Sequence, residues 1–469
     1  MTIKNTLYIN PCQLGLVLIY VLIASCKPNT DLFIPEEKAP LSQKKEITSV
    51  NFNNQSLNTS NTDITTFTDT ILITVPASTD LNDLIPVFTI QAKSISPESG
   101  KAQNFSQPVN YTLTAVDGTK KVYSIKVNKS KQMIYIGSND SFYALDPVMG
   151  KLVWKIPAKL NFAYSSPTYS NGIIYAGCID NNLYAFDAGT GAVKWKYEIM
   201  EHGIESPSTV ASGKVFFGGN DDYMYALDAS TGEFKWKFKT GGNVSTKPAI
   251  HNGVMYFGSS DGKIYALNIE NGASLWTLQT GSMINASSPC ILNNVVYVGN
   301  RDGNLYAINA ASGIIKWTYS TSGLSLEMSS PVISKGILYI SSWYDSSFSQ
   351  KGSLYAINAV SGSLIWKVLP LGFSNSPAVA KGRVFVSADG GDFYAINRDN
   401  GTTIWNKKIL PNGADASIAN DVVYVGGGGT GNIYAFDAET GTEKWRYPIT
   451  GLMTSKPCII GKNGEISED

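Results

Sequence analysis

The chain has 469 residues, which is too long for one small hydrophobic core and predicts more than one structural unit. Its 37 Lys and Arg residues balance 37 Asp and Glu residues, and this zero net charge excludes the basic footprint typical of nucleic-acid-binding proteins. Gly (43) and Tyr (25) are abundant while only 16% of the residues are charged, a composition typical of a turn-rich, all-β protein.

Residues 1–25 predict a signal peptide and not a part of the fold. Lys4 supplies a positive charge, and the apolar run at 14–23 has ten residues, too few to span a bilayer comfortably. The run ends in IASC at residues 23–26, which resembles a bacterial lipobox. This resemblance implies cleavage before Cys26 and a diacylglycerol on its sulfur, and several acyl chains on one residue give stable anchoring. An ordinary signal peptide and an uncleaved anchor are the alternatives.

The residues after Cys26 bear on location. Lys27 stands where many lipoproteins retained in the inner membrane have Asp, so attachment to the outer membrane is favoured. Surface-export signals of the Bacteroidota type have acidic residues just after the cysteine, and residues 27–31 fit that pattern poorly. The sequence leaves open whether the protein faces the periplasm or the medium. Residues 26–45 are polar and contain several prolines, and they predict a flexible tether.

Residues 46–129 predict a small β-sandwich. Five segments alternate β-branched or aromatic residues with polar ones, and Asp117-Gly118 predicts a tight hairpin between the last two. These segments are Ile47–Phe52, Thr70–Val75, Ile85–Lys93, Val109–Val116 and Lys121–Val127. The number and length of the strands indicate an immunoglobulin-like sandwich. The sequences at 96–100, 111–118 and 123–125, with Phe105, resemble small modules near the N-termini of Bacteroidota surface lipoproteins. A simple spacer is the other interpretation.

Residues 132–461 contain an eightfold repeat. Each copy reads Tyr-Ala-x-(Asp/Asn), three residues, Gly, three residues, Trp, and the tryptophans are 41, 41, 40, 41, 49, 39 and 40 residues apart. A repeat of about forty residues predicts a β-propeller, because one such sheet cannot bury both of its faces alone. The tryptophans are Trp154, Trp195, Trp236, Trp276, Trp317, Trp366, Trp405 and Trp445.

The recurring residues have structural explanations. Each glycine lies four residues before the tryptophan, where a turn between the third and fourth strands needs a positive φ. These glycines are Gly150, Gly191, Gly232, Gly272, Gly313, Gly362, Gly401 and Gly441. The Asp or Asn that precedes each glycine by four residues can cap the turn, and the tryptophan on the outer strand can pack against the next blade.

The repeat resembles the tryptophan-docking motif of quinoprotein dehydrogenases and of the outer-membrane assembly lipoprotein BamB. This resemblance implies an eight-bladed propeller of the PQQ-like superfamily. The first copy starts with a second strand at residue 133, and the last is followed by a lone first strand at 455–460. The C-terminal strand is therefore expected to complete the first blade and leave no open edge. Residues 462–469 are predicted to be a frayed tail.

Functional residues are expected on one face of the propeller. The A–B and C–D turns (between strands one and two, and three and four) are short and uniform, whereas the D–A and B–C loops vary. Variable loops on a rigid scaffold usually carry binding. The D–A loops contain apolar residues suited to an adaptable protein-binding surface. The candidate contact residues there are Met200, Met283, Met328, Phe373 and Met453. The alternative is that they plug the central channel.

One insertion, at 341–353, explains the 49-residue spacing. It contains Trp343, the one tryptophan outside the repeat, together with Tyr344 and Phe348. Aromatic anchors in a loop fit a binding hot spot or a sugar-stacking platform. The same loop is equally compatible with folding over its neighbour.

Catalysis finds little support in the sequence. The two histidines, His202 and His251, lie apart and have no evident catalytic partners. Quinoprotein alcohol dehydrogenases typically carry a vicinal disulfide near PQQ, and this chain has no Cys-Cys pair. The acidic residues of the B–C turns are expected to cap turns and not to bind metal. Cys178, Cys290 and Cys458 are expected to be buried thiols, with one disulfide plus a free thiol as the alternative.

The sequence therefore predicts a non-enzymatic envelope lipoprotein without a cofactor or metal. Its propeller would bind a protein, in a BamB-like assembly role at an outer-membrane barrel or complex, and its membrane contact would be the lipid on Cys26. No nucleic-acid partner is expected. A PQQ-dependent dehydrogenase and a surface carbohydrate-binding protein are the alternative functions.

Overall fold

The computed structural model describes residues 41–461, except 55–56, 58–62, 67–68, 158–160, 345–350, 369–374, 410–412 and 430. The signal peptide, Cys26, most of the tether and the tail at 462–469 lie outside this part of the chain. The regular elements of the described residues are all β-strands. In the same residues there is no helix of the length and apolarity needed to cross a membrane.

The N-terminal unit is a sandwich of two sheets. Its strands are β1 Glu46–Phe52, β2 Asp63–Thr66, β3 Thr70–Val75, β4 Pro86–Gln91, β5 Ser94–Ser96, β6 Val109–Thr114 and β7 Lys120–Lys129. A two-stranded sheet pairs β1 with β4, and a five-stranded sheet has the order β2-β3-β7-β6-β5. Alternate residues of the strands face a shared core, which includes Ile73, Phe88, Tyr111 and Ile125. This alternation is why the five predicted strands are all present.

The sandwich differs from the prediction in two short strands, Asp63–Thr66 and Ser94–Ser96, which the sequence analysis did not identify. Both are edge strands of the five-stranded sheet, so they bury little and show little apolar periodicity. The predicted hairpin is confirmed. Gly118 has φ +88°, and the Asp117 carboxylate accepts the Thr119 amide at 2.9 Å.

Eight four-stranded sheets form the propeller, numbered here as blades 1 to 8, each with strands in the spatial order A-B-C-D. The A strands of neighbouring blades contact one another and therefore surround the central channel. From blade 1 to blade 8 they are Cys458–Ile460, Thr168–Ser170, Thr209–Ala211, Ala249–His251, Cys290–Leu292, Val332–Ser334, Ala378–Ala380 and Ser417–Ala419.

The other strands follow in the same blade order. The B strands are Met133–Gly137, Ile173–Gly177, Lys214–Gly218, Val254–Gly258, Val295–Gly299, Ile337–Ser341, Arg383–Ser387 and Val422–Gly426. The C strands are Ser141–Leu145, Asn182–Asp187, Tyr223–Asp228, Lys263–Asn268, Asn304–Asn309, Leu354–Asn358, Asp392–Asn397 and Asn432–Asp437. The D strands are Leu152–Pro157, Val193–Glu198, Phe234–Lys239, Ser274–Gln279, Ile315–Ser320, Leu364–Val368, Thr403–Lys408 and Glu443–Pro448.

The ring closes as the sequence predicts. Strand Cys458–Ile460 pairs antiparallel with strand B of blade 1, with Cys458 opposite Tyr135 and Ile460 opposite Met133. Trp445 of blade 8 donates its indole N–H to the Pro147 carbonyl of blade 1 at 2.9 Å. Closure leaves the propeller without an open first or last blade, which removes the edge on which another chain would pair.

Each tryptophan docks on the next blade. Trp276 illustrates the contact: its indole Nε1 donates to the Ala310 carbonyl at 2.9 Å, and its ring lies against Gly313 of the same C–D turn. All eight repeat glycines have φ between +63° and +75°, and a Cβ added to any of them would lie 2.5–2.9 Å from the neighbouring indole. The glycine is therefore needed both for the turn and for the tryptophan of the preceding blade.

The sandwich contacts the propeller at blade 1. The Ser78 amide and hydroxyl both donate to Asp146 Oδ2, at 2.9 and 3.1 Å. Ala77 is buried in the cluster that contains Met133 and Tyr135. Asp146 is the capping residue of the first C–D turn, so the sandwich sits on the face of uniform turns, opposite the variable loops.

Candidate functional site

Most apolar residues of the D–A loops are core residues. Strand B ends in glycine in six blades, and an apolar side chain of the following D–A loop covers that glycine. A Cβ on Gly218 would lie 2.2 Å from the Val244 carbonyl oxygen, so no larger residue fits without movement. The covering residues are Phe162, Ile204, Val244, Ile284, Leu326 and Met453. These six side chains are therefore buried within the blades and are not available as a binding surface.

Among the predicted contact residues, Met453 is one of these covering residues. Its side chain is 0% exposed and packs over Gly426, so it offers no surface to a partner. The sequence could not distinguish it from the exposed methionines, because all of them occur in D–A loops of similar composition. Phe348 and Phe373 lie outside the described residues.

The other candidates remain accessible. Met200 is 83% exposed and Met328 is 43% exposed, while Met283 is half-buried. Trp343 and Tyr344 are also half-buried. Met200 belongs to the loop between blades 2 and 3, and the remaining four residues belong to loops of blades 4 to 6.

Backbone hydrogen bonds hold the base of the insertion. The Trp343 amide donates to the Ser325 carbonyl at 2.8 Å, and the Ser325 amide donates to the Tyr344 carbonyl at 3.3 Å. The Trp343 and Tyr344 rings meet edge to face, with centroids 5.9 Å apart. A hydrogen bond to Asp389 raises the pKa of the Tyr344 hydroxyl, and Asp389 belongs to the B–C turn of blade 7. The start of the insertion thus spans loops of blades 5, 6 and 7.

A polar network joins this insertion to Met283. The Asn285 amide nitrogen donates to Glu327 Oε2 at 3.2 Å, and the Ala286 amide donates to the Glu327 carbonyl at 2.9 Å. Arg301 Nε lies 3.8 Å from Glu327 Oε1, and Arg301 Nη1 lies 3.2 Å from the Met283 sulfur. Burial raises the pKa of the Glu327 carboxyl, against the opposing effect of Arg301. The buried Glu327 therefore links Arg301 and Asn285 to the loop that holds the insertion base. The residues around it, Met283, Arg301, Met328, Trp343 and Tyr344, are called here the blade 4–6 arc.

The mouth of the central channel is a second concavity on this face. A cavity of about 230 Å³ is lined by residues that directly precede the A strands, including Ser166-Pro167, Ser288-Pro289, Ser330-Pro331 and Lys456-Pro457. The sequence analysis did not consider these residues, although a Pro one or two positions before strand A recurs in seven of the eight blades and is a readable signal.

No three His, Cys, Asp or Glu side chains in the described residues converge on a position that could hold a metal ion. Two B–C turn aspartates act as caps, as expected: Asp261 Oδ1 accepts the Lys263 amide at 2.9 Å and Asp180 Oδ1 accepts the Asn182 amide at 3.1 Å. Cys178 and Cys458 are buried, Cys290 is half-buried, and the three form no disulfide with one another.

Comparisons with known protein families match most of the chain. Residues 118–201, 198–348 and 327–455 match a family model described as outer membrane protein assembly factor BamB. Residues 47–127 match a model described as SGBP, N-terminal. No curated protein matches the chain.

Solved structures with the same fold include BamB and two dehydrogenases. BamB from Moraxella catarrhalis is 18% identical, with a TM-score of 0.53 over 65% of this chain and 95% of that chain. A europium-containing methanol dehydrogenase is 15% identical, with a TM-score of 0.55 over 67% and 81%. A quinohemoprotein alcohol dehydrogenase from Pseudomonas putida is 17% identical, with a TM-score of 0.52 over 65% and 68%. At these identities the likeness establishes the propeller fold alone.

Proposed function

We propose, from the premise that this chain belongs to the propeller family described as outer membrane protein assembly factor BamB, that it is a non-enzymatic scaffold of the cell envelope. Its propeller binds another envelope protein, such as an outer-membrane barrel or a subunit of its assembly complex. The lipid on Cys26 attaches it to the outer membrane. The sandwich on the uniform face leaves the variable loops free for the partner.

The blade 4–6 arc is the observation that carries this proposal. Tryptophan, tyrosine and arginine are the residue types that dominate binding energy at protein interfaces, and methionine adapts to a partner's shape. The arc brings Trp343, Tyr344 and Arg301 together with Met283 and the exposed Met328. Met200 lies in the loop between blades 2 and 3, beside Tyr223 and Lys239 and outside this arc.

The arc is also held in place before binding. Hydrogen bonds from Trp343 and Ser325 fix the insertion base to the D–A loop of blade 5, and Asn285 fixes Glu327. Side chains that are already ordered lose less conformational entropy on association, which favours tight binding. The half-buried state of Trp343 is thus compatible with both a local packing role and a partner-binding role.

Site-specific photo-crosslinking in intact cells tests this function. A photoreactive residue at position 328 is expected to capture a defined envelope protein, identified by mass spectrometry, and the same residue at position 200 is expected to capture none. For the purified pair, Trp343→Ala should weaken binding by about thirtyfold, as expected for a hot spot of about 2 kcal/mol. Met200→Ala is the matched control and should leave the affinity unchanged. Equal crosslinking from both positions, or an unchanged affinity for Trp343→Ala, would refute the arc as the site.

A surface glycan-binding role is the second candidate. The match of residues 47–127 to the SGBP N-terminal model favours it, because that module is named for a glycan-binding protein. The aromatic pair Trp343 and Tyr344 offers ring faces on which a sugar can stack. Binding of the full chain to a glycan array, lost in Trp343→Ala, would support this function. Absence of binding, or binding unaffected by the substitution, would count against it.

A PQQ-dependent dehydrogenase fits the described residues less well. Cys178, Cys290 and Cys458 are far apart in the sequence and include no vicinal pair. In the described ranges, no three His, Cys, Asp or Glu side chains form a group that could hold a metal ion. Reconstitution with PQQ and calcium, followed by dye-linked alcohol oxidation, is expected to give no turnover and no bound quinone.

A further inference from the structure

Eight equivalent residues surround the mouth of the central channel, two positions before each A strand. We call them the channel ring. From blade 1 to blade 8 they are Lys456, Ser166, Pro207, Lys247, Ser288, Ser330, Ser376 and Asp415. All eight line the same cavity of about 230 Å³.

Hydrogen bonds join neighbouring members of the ring. The backbone amide of one residue donates to the side-chain oxygen of the residue in the next blade. The bonds run from Lys247 to Ser288 (2.9 Å), from Ser288 to Ser330 (3.0 Å), from Ser330 to Ser376 (3.0 Å), from Ser376 to Asp415 (2.7 Å) and from Lys456 to Ser166 (2.9 Å). The series is interrupted where Lys or Pro offers no side-chain acceptor.

This pattern leaves the serine protons available to a ligand. A hydroxyl has one O–H to donate, and in each of these serines the oxygen already accepts an amide. Ser330 donates to the Ala286 carbonyl at 3.3 Å. The hydroxyls of Ser166, Ser288 and Ser376 donate to no protein acceptor within the described parts of the chain. Three O–H donors therefore line the cavity.

The charged residues are unevenly distributed around the ring. Asp415 and Lys456 are in adjacent blades. Burial raises the pKa of the Asp415 carboxyl, and the positive charge of Lys456 acts in the opposite direction. Lys247 is four blades from Asp415, on the opposite wall. Across the ranges the structure describes, no carboxylate lies within 4.0 Å of its ammonium group. The wall at Lys247 and Ser288 is therefore positive and rich in donors.

Isoleucine side chains also line the channel beyond the ring. A second cavity of about 470 Å³ shares Lys247, Ser288 and Lys456 with the first and continues along the A strands. Ile250, Ile291 and Ile333, the middle residues of three successive A strands, line it. A ligand that reaches this depth gains binding free energy by burying apolar surface against these side chains.

We propose that the channel mouth binds an organic carboxylate with an apolar substituent. The carboxylate accepts hydrogen bonds from the Lys247 ammonium and the Ser288 hydroxyl, and the apolar group contacts Ile250 and Ile291. One net positive charge suits a single carboxylate. The free C-terminus of a peptide with an apolar last residue and a small aliphatic acid share this chemistry. The site is separate from the blade 4–6 arc, so its test does not depend on the protein-binding function.

Calorimetric titration of the full chain tests the proposal. The probes are the tripeptide Gly-Gly-Leu with a free C-terminus, the same peptide as its C-terminal amide, hexanoate and hexanol. At least one acid should bind, and its neutral counterpart should bind at least about tenfold more weakly, because it cannot accept charge-assisted hydrogen bonds. A preference for the peptide or for hexanoate identifies the source of the carboxylate.

Variants connect the binding to the ring. Lys247→Gln should weaken acid binding about tenfold or more, while Lys247→Arg should retain most of it because the charge and donors remain. Lys316→Gln, which removes the same charge from the exposed outer strand of blade 5, is the matched control. Near-ultraviolet circular dichroism checks that each variant is folded. Absence of acid binding by the unmodified chain, equal binding of acid and neutral probes, or unchanged binding by folded Lys247→Gln would overturn the proposal.

Discussion

Replacing Gly313 by alanine separates the two requirements that the repeat places on its glycine. Gly313 has φ +71°, and an added Cβ would lie 2.8 Å from Trp276 Cδ2. A left-handed backbone conformation costs an alanine about 1–2 kcal/mol. The indole must also move, and overpacking of this kind costs about a further 1–3 kcal/mol. Gly313→Ala is therefore expected to lower the free energy of unfolding by about 2–5 kcal/mol.

Gly336→Ala is the matched control. Gly336 has φ +76°, but nothing lies within 4 Å of its added Cβ, so only the backbone cost of about 1–2 kcal/mol applies. Urea unfolding of the full chain, followed by tryptophan fluorescence and circular dichroism, compares the two midpoints at equal m-values. In a Trp276→Ala background the excess loss of Gly313→Ala should disappear. Equal losses for the two single glycine variants would refute the proposed double role.

Ile459 lies in the strand that closes the ring and is 2% exposed. Ile459→Asp should therefore lower the melting temperature strongly, because it buries a carboxylate. Ile365→Asp, on the exposed outer strand of blade 6, should change the melting temperature little. Similar melting curves for both variants would contradict closure by this strand. Hydrogen bonds from Ser230 and Thr231 lower the pKa of Asp228 from 3.8 to about 2, so its stabilising contribution is complete above pH 4 and is lost as the pH falls through 2. Asp228→Asn should therefore reduce the dependence of the melting temperature on pH between 4 and 2, and an unchanged dependence would exclude this contribution.

Much of the fold could be predicted because the same turn and strand residues recur in all eight copies of the repeat. The turn at Gly272 and the outer-strand position of Trp276 depend on neighbours in sequence, so one copy defines the blade and eight copies define the number of blades. The lone strand at the C-terminus indicates closure for the same reason. In the sandwich, the edge strand Asp63–Thr66 gave no comparable signal, because it buries too little to impose a periodicity.

The candidate site was less predictable because its residues are distinguished only by contacts between blades. Met283, Met328 and Met453 occur in loops of similar composition, yet Met453 packs over Gly426 while Met328 is exposed. Trp343 becomes part of a surface with Met283 only through Ser325, Glu327 and Arg301. The sequence pattern does not show which residues of different blades come into contact.

The sequence alone thus determined the all-β class, the eight blades and the strand that closes them, because backbone turns and strand periodicity are local. The tertiary structure decided which loop side chains are core and which are surface, because burial depends on what the neighbouring blade presents. It also joined Lys247, Ser288 and Asp415, residues up to 168 positions apart, into one channel ring, because closing the sheets in a circle brings equivalent positions of every blade to the same axis.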